Sequence, residues 1–391
     1  MASVLTRMER DALVARLPGL GPRLRAWRDR LLASPRFQVW AASLPFTRRV
    51  AARYARDLFD LCAGFVYSQV LYTCVRLNVF ELLAEGPRTS ADLAQRWQMP
   101  VPAAERLLAA AVALNLLERR GKAGYGLGIL GAALRANPGA AAMIEHHELL
   151  YSDLRDPVAL LRGEAPPTRL SRYWTYAGAA RGESPSDLAP DEVLGYTRLM
   201  SRSQHLVARD ILDAYPLQKH VCLLDIGGGS GEFAIAAAQR VPQLRAIVAD
   251  LPGVVVEARQ NIADHGLSRR IGVHGGDALR AELPTGADIA SLVRVIHDHD
   301  DGPALDLLRA ACAALQPGGV LLIAEPMAAT AGAERMGDAY FGFYLLAMGS
   351  GRPRSSGELA AMARSAGFAE ARALPTRRPL LTGVLLCRKP G

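Results

Sequence analysis

The run Val221-Cys222-Leu223-Leu224-Asp225-Ile226 leads straight into Gly227-Gly228-Gly229-Ser230-Gly231, an apolar strand pattern feeding a loop whose backbone can approach a ligand closely. A dinucleotide fingerprint starting at Gly227 needs glycine where Glu232 stands, and one starting at Gly229 needs it where Ala234 stands. No Gly-Lys-Ser/Thr follows, which excludes a P-loop as well. Asp225 and Glu232 put carboxylates where a pyrophosphate would lie, and they suit an ammonium or sulfonium cation instead. This chemistry points to S-adenosylmethionine, cradled by Asp225, Gly227, Gly229 and Gly231. Asp250 closes the second strand pattern, where a carboxylate can accept hydrogen bonds from both ribose hydroxyls, with Leu251 beside it. Asp277 and Ala278 follow the third strand.

The fourth apolar run ends in Arg294-Val295-Ile296-His297-Asp298-His299-Asp300-Asp301. Adjacent residues leaving a strand do not converge on one ion, so no metal site is expected. A histidine at a strand tip beside a cofactor loop is a candidate general base. Methyl transfer is an in-line displacement, and a hydroxyl oxygen is a poor nucleophile until its proton leaves. His146 and His147, beside Glu148, are neighbours on a helical pattern and do not face one point, so a lining or half-exposed role is expected of them.

The elements that must position these groups follow from periodicity. From residue 205 strands alternate with helices: Val221–Ile226, Arg245–Leu251, Ile271–His274, Ile289–Ile296 and Val320–Ala324, with helical runs Phe233–Arg240, Val254–His265 and Ala304–Leu315 between them. That pattern predicts an α/β fold with a doubly wound, Rossmann-like sheet. Upstream, an apolar helical pattern spans Asp57 to Leu83. A capping box at Thr89-Ser90-Ala91-Asp92, a third helix over Pro100 to Leu117 and a turn at Gly121–Gly124 follow. Helix, helix, helix, hairpin spells a winged helix. Its third helix is mostly alanine and leucine, which argues against DNA and for subunit packing. Residues 131 to 191 read as looser, with Pro157, Pro166, Pro167, Pro185 and Pro190.

Length and composition agree with this division. The chain has 391 residues, half of them hydrophobic and 21% charged, which excludes a disordered or collagen-like protein. Its five cysteines are scattered without a C-x-x-C pair, so neither a disulfide framework nor a zinc ribbon is indicated, and a reducing, cytoplasmic setting is expected. No uninterrupted apolar stretch approaches ~18 residues, so no membrane crossing is expected. Residues 1 to 56 hold twelve arginines against Glu9, Asp11 and Asp29, a net of +9 out of +8 for the whole chain. Within them Leu24, Trp27 and Leu31 recur at helical spacing, giving a basic amphipathic arm. It suits either an anionic lipid surface or a partner subunit.

The glycine loop, Asp250-Leu251-Pro252, Gly276-Asp277, Arg294-Val295-Ile296-His297-Asp298 and Ala324-Glu325-Pro326 resemble the class I S-adenosylmethionine-dependent O-methyltransferases of the plant caffeate and acetylserotonin type. The resemblance covers roughly residues 60 to 391, including a dimerising winged helix. Together with the charge of the first segment it gives four regions: a basic amphipathic extension (1–56), a winged-helix dimerisation domain (57–130), a helical linker and substrate-lining region (131–204) and the methyltransferase domain (205–391). It implies a homodimer, His297 as general base and Glu325 as an acid orienting it. Asp225, Gly227, Gly229, Gly231, Asp250, Leu251, Asp277, Ala278 and Arg294 are implied around the cofactor, and Tyr196, Met200, Ser203, Tyr344 and Met348 over the acceptor. A second orienting acid of the family, in a Glu-Arg-Thr pattern, is replaced here by Pro353 in Arg352-Pro353-Arg354-Ser355.

Three segments, Leu58 to Gln69, His146 to Tyr151 and Asp156 to Arg162, are similar to the carotenoid hydroxyl methyltransferases of purple phototrophs. That similarity implies transfer to the tertiary 1-hydroxyl of an acyclic hydroxycarotenoid, an apolar acceptor held in a membrane. A bacteriochlorophyll-type tetrapyrrole and a small phenol are the alternative acceptors.

Overall fold

Leu223, Leu224 and Ile226 are each no more than 1% exposed, so β3 (Cys222–Ile226) is covered on both faces and takes a parallel neighbour on each side. These neighbours are β4 (Arg245–Asp250) and β6 (Ala287–Val293). β5 (Ile271–Gly275) extends the sheet beyond β4, and β7 (Leu315–Glu325) extends it beyond β6, both parallel. The antiparallel pair β9 (Gly383–Arg388) and β8 (Glu370–Leu374) completes seven strands in the order β5-β4-β3-β6-β7-β9-β8. The crossover helices Glu232–Arg240, Val254–Asp264 and Asp301–Ala314 give two apolar cores, one around Phe233 and Val248, the other around Leu224 and Leu308. This is the doubly wound α/β fold. Strand order reverses at β3, which opens a crevice at the carboxyl ends of β3, β4 and β6.

The computed structural model describes residues 21–173 and 204–391. The chain divides into two compact units, residues 1–132 and 133–391. In the first, Thr89 and Asp92 form the expected capping box at the head of helix Ser90–Arg96. Helix Val101–Ala113 turns Ala104, Leu108 and Ala111 inward, and β1 (Leu117–Arg119) pairs with β2 (Tyr125–Leu127) as the wing. The apolar pattern from Asp57 onward is part of one helix, Pro45–Arg76, followed by a short one, Val79–Ala84. Phe46, Leu58, Phe59, Leu61 and Phe65 on the long helix are exposed, Phe46 at 94%. An 18-residue stretch of it has a mean hydropathy of 1.4, long and apolar enough to cross a membrane by length and composition alone. A search for uninterrupted apolar runs passes over it because Asp57, Asp60 and small polar residues punctuate the sequence.

One expectation is sharpened and another needs correction. The described part of the region after residue 131 is helical, as Pro138–Asp153, Pro157–Leu161 and Arg169–Tyr173. Pro138 and Pro157 open helices capped by Asn137 and Asp156 rather than break them, because the first helical position needs no amide hydrogen. β6 also ends earlier than Ile296. The Arg294 amide donates to Ala324 O at 2.7 Å, and Arg294 itself then takes φ +60°, which diverts the chain out of the sheet. Ile296–Asp298 forms a 3₁₀ turn, and His297 lies on this turn rather than on the strand tip.

That turn is clasped by residues 350–354. Ser350 Oγ donates to Asp298 O, the Gly351 amide to Asp300, and Arg352 pairs with Asp301. Gly351, at φ +80°, lies so close to the His297 carbonyl that a Cβ has no room. Arg354, fully buried, donates to Ile296 O at 3.0 Å, His299 O at 2.8 Å and Asp301 at 2.7 Å. Removing this side chain takes a charged donor from both carbonyls, Ile296 O keeping the His299 amide, and leaves a cavity. Arg354→Ala is therefore expected to cost about 2 to 5 kcal/mol of stability, read as a fall in denaturation midpoint. A variant as stable as the parent would show that the turn holds itself.

Candidate active site

The glycine loop begins where β3 ends, and Gly227, Gly229 and Gly231 all adopt positive φ, as the tight strand-to-helix turn requires. Gly228 is needed for space. A Cβ there would stand 2.7 Å from Asp225 Oδ2 and 2.9 Å from Val248. Asp225 is wholly buried beneath the loop. Its Oδ1 accepts from Ser291 Oγ at 2.6 Å, whereas Oδ2 has no hydrogen-bond partner. Burial, with the nearby Asp250 charge adding to it, pushes its pKa up to about 7.

Asp250 caps the loop from the next strand. Its two oxygens accept from the amides of Gly229 at 2.8 Å and Leu251 at 2.7 Å, and burial raises its pKa to about 6 in spite of them. Further lone pairs remain for a ligand. Glu232 is turned another way, accepting from Asn261 Nδ2 at 3.0 Å and so tying two crossover helices together. Asp277 caps its own turn through the Leu279 amide, with Ala278 half-buried against the Leu224 core. A buried, unpartnered carboxylate oxygen, a second carboxylate holding the loop open and a glycine cradle are a donor and acceptor set that fits S-adenosylmethionine. Asp225, Asp250 and the loop amides are the groups that would hold it.

His297, 4% exposed, lies on the turn that follows β6. Val295 of the same turn touches the loop: a Cβ at Gly227 would meet its Cγ2 at 2.7 Å. The His297 ring Nε2 is 3.0 Å from Asp298 Oδ1, close but without hydrogen-bond alignment, and Nδ1 is buried without a partner. Burial alone would depress this imidazole, but the Asp298 carboxylate and the more distant Glu325 hold its pKa above the ordinary value. Glu325, at the end of β7, contacts His297 through the main chain: Oε2 accepts from the His297 amide at 3.1 Å, and Oε1 is unpartnered. Burial raises the Glu325 pKa as well. The acid against the ring is thus Asp298, the neighbour of His297 in sequence.

Phe341 and Tyr340, beside this site, escaped the sequence reading. Phe341 stacks on His297 with centroids 5.6 Å apart and planes at 29°. It follows a π-helical turn, Arg335–Tyr340, that leads into helix Phe341–Met348. Such turns recur at functional sites, but no side-chain periodicity announces one. Tyr344 lies one turn on, with its hydroxyl 2.8 Å from His146 Nε2. Met348 is 1% exposed in a cluster with Leu150, Leu160 and Leu170. Arg294 is close enough for its charge to act on His297 and Tyr340. Tyr196, Met200 and Ser203 lie outside the described residues.

The comparisons with known proteins agree with this geometry. A family model described as the O-methyltransferase domain matches residues 151–369, and one described as the O-methyltransferase dimerisation domain matches residues 59–136. The chain is 42% identical to demethylspheroidene O-methyltransferase of Cereibacter sphaeroides, over 92% of this chain and 94% of that one. It is 31% identical to acetylserotonin O-methyltransferase of Mus musculus, over 85% and 89% of the two chains. Among solved structures, human N-acetylserotonin methyltransferase in complex with SAM superimposes with a TM-score of 0.66 at 25% identity, covering 86% of this chain and 98% of that one.

The two raised carboxylates give a pH signature. A sulfonium beside them favours their charged forms, so binding should release protons between roughly pH 5 and 7, and affinity should fall as pH drops through that window. Calorimetry of cofactor binding at pH 6 in buffers of different ionisation enthalpy measures the release, and Asp225→Asn should diminish it. Heats independent of buffer would sink the assignment of Asp225 and Asp250 to the cofactor pocket.

Proposed function

The chain belongs to the S-adenosylmethionine-dependent O-methyltransferases that carry their own dimerisation domain, and from that premise we propose that the oxygen it methylates is the tertiary 1-hydroxyl of an acyclic hydroxycarotenoid of the demethylspheroidene kind. The observation that carries this reading is the 42% identity, maintained over 94% of a protein named for that acceptor. The bound cofactor supplies an electrophilic sulfonium methyl. Gly227, Gly229 and Gly231 approach it with backbone, Asp225 offers a buried carboxylate, and Asp250 with Leu251 holds the ribose end. Asp277, Ala278 and Arg294 bound the far side of the pocket.

His297 is the general base. With the proton of its ring held on the nitrogen facing Asp298, the unpartnered nitrogen presents a lone pair to the acceptor hydroxyl. A tertiary alcohol is far less acidic than a phenol, so proton and methyl move together and placement of the base matters more than prior ionisation. Glu325 fixes the main chain of His297, and Asp298 takes the ring-orienting part that Pro353 cannot play. Residues 57–130 form the dimerising unit, 131–204 with Tyr196, Met200, Ser203, Tyr344 and Met348 line the acceptor side, and 205–391 carry the chemistry. The dimerisation domain supports a homodimer, and it begins inside the long helix Pro45–Arg76, whose exposed apolar residues from Phe59 onward suit the partner subunit. The helices Pro22–Leu32 and Pro35–Ser43 ahead of it expose Trp27 and Val39 among arginines, which suits the cytoplasmic face of an anionic bilayer, where the acceptor dissolves.

Labelled cofactor offered in parallel with 1-hydroxy carotenoids, bacteriochlorophyllides and catechols tests the acceptor; label in either of the last two alone overturns it. His297→Ala should keep cofactor affinity and lose about 100- to 10,000-fold in single-turnover rate. The base works unprotonated, so activity rises with pH through the raised His297 pKa. Asp298→Asn removes the charge that raises it and should move this limb to lower pH while lowering the plateau; an unmoved limb assigns the titration elsewhere.

The arm is tested by deletion of residues 1–56. Each basic residue near an anionic surface contributes roughly 1 kcal/mol, fading within a Debye length, so sedimentation with anionic liposomes should be lost and should be salt-sensitive in the parent. Liposome binding that survives while the protein falls into monomers would make the arm a subunit clasp.

A further inference from the structure

Helix Pro138–Asp153 places two adjacent histidines against one turn of helix Phe341–Met348 and the π-helical turn before it. His147 Nε2 is 2.7 Å from the Tyr340 hydroxyl, and His146 Nε2 is 2.8 Å from the Tyr344 hydroxyl. The rings of Tyr340 and Tyr344 stack with centroids 5.9 Å apart, and Phe341 meets both, edge-on to Tyr340 at 5.1 Å. Since Phe341 also stacks on His297, an unbroken run of aromatic rings leads away from the base to the two histidines. Tyr173 closes it behind His146, with centroids 4.8 Å apart. Burial lowers both histidines, His146 to about 4, and raises Tyr340, so at neutral pH these three groups are uncharged.

We propose that His146 and His147 are specificity-determining positioning residues that engage the hydroxyls of Tyr344 and Tyr340, so that the wall beside His297 offers an acceptor ring faces and no unsatisfied polar group. The idea rests on the acceptor reading above and deepens it. A phenol left unpaired would lose its water when an apolar chain lay against it, and that loss opposes binding. A phenol already paired to histidine loses nothing. The same wall rejects acceptors bearing several hydroxyls, since these surrender hydration and find no partner. The acceptor class that gains is a long conjugated hydrocarbon with one hydroxyl, placed at His297 and stacked along the rings. His147 meets Tyr340 and His146 meets Tyr344, so two neighbours on one helix engage residues four apart on the facing segment.

The test is a double-mutant cycle. His147→Phe frees the Tyr340 hydroxyl and should raise KM for a 1-hydroxy polyene about tenfold with kcat changed less than about threefold. Adding Tyr340→Phe removes the freed hydroxyl and should bring KM back, which a merely destabilised protein would not do at equal melting temperature. His147→Asn, too short to reach the hydroxyl, carries the same test should the phenylalanine variant not fold. Binding of a polyene hydrocarbon without any hydroxyl, followed by its absorption band, needs no turnover and should show the same loss and recovery. Parent enzyme that methylates catechols and not hydroxy polyenes overturns the acceptor reading alone. Unchanged polyene binding across the set, or a loss that Tyr340→Phe does not restore, overturns the clamp.

Discussion

The Arg354 guanidinium, sealed from water, hydrogen-bonds the carbonyls of Ile296 and His299 on either side of His297. The chain has just left β6 through a left-handed Arg294, and beyond the turn's own bonds, Asp298 amide to Val295 O and His299 amide to Ile296 O, the main chain from 296 to 301 takes further partners from elsewhere. Residues 350–354 provide them, and Gly351 is tolerated there only because it has no side chain. Placement of His297 is therefore a long-range property: its turn is held by a segment some fifty residues downstream, itself anchored by the Ser355–Glu358 capping box of helix Ser356–Ser365.

The charges of the site follow from the same economy of partners. Buried carboxylates normally find donors for every oxygen, yet Asp225 and Glu325 each keep one oxygen without any. Such groups are costly in the free protein, and strain or unmet polarity of this kind persists where a ligand or reaction later satisfies it. By contrast, among the described residues the hydroxyls of Tyr340 and Tyr344 each lie on a histidine. The crevice around Asp225 is thus anionic and unsatisfied, which matches a cationic cofactor.

Pro353 stands where the family's second acid is expected, and the acid beside the His297 ring is its neighbour Asp298. The 3₁₀ turn sets consecutive side chains about 120° apart, where an extended strand would send them to opposite faces, and so lets Asp298 reach the ring.

Much was legible in the order of residues alone. Alternating apolar runs and helical patterns fix a parallel sheet because only crossover helices can join such strands, and acids at successive strand ends with Gly227–Gly231 mark a cofactor crevice because backbone conformation and charge are local. The Thr89 capping box and the winged-helix order are local in the same sense. What the tertiary structure decided is where distant segments meet. Arg354 on the base's turn, Asp298 rather than Glu325 against the ring, Phe341 over His297, and the histidine pair on Tyr340 and Tyr344 join residues up to 198 positions apart. Periodicity reports which face of an element is buried; it carries no information about which other element covers that face, and that choice is made only when the chain packs.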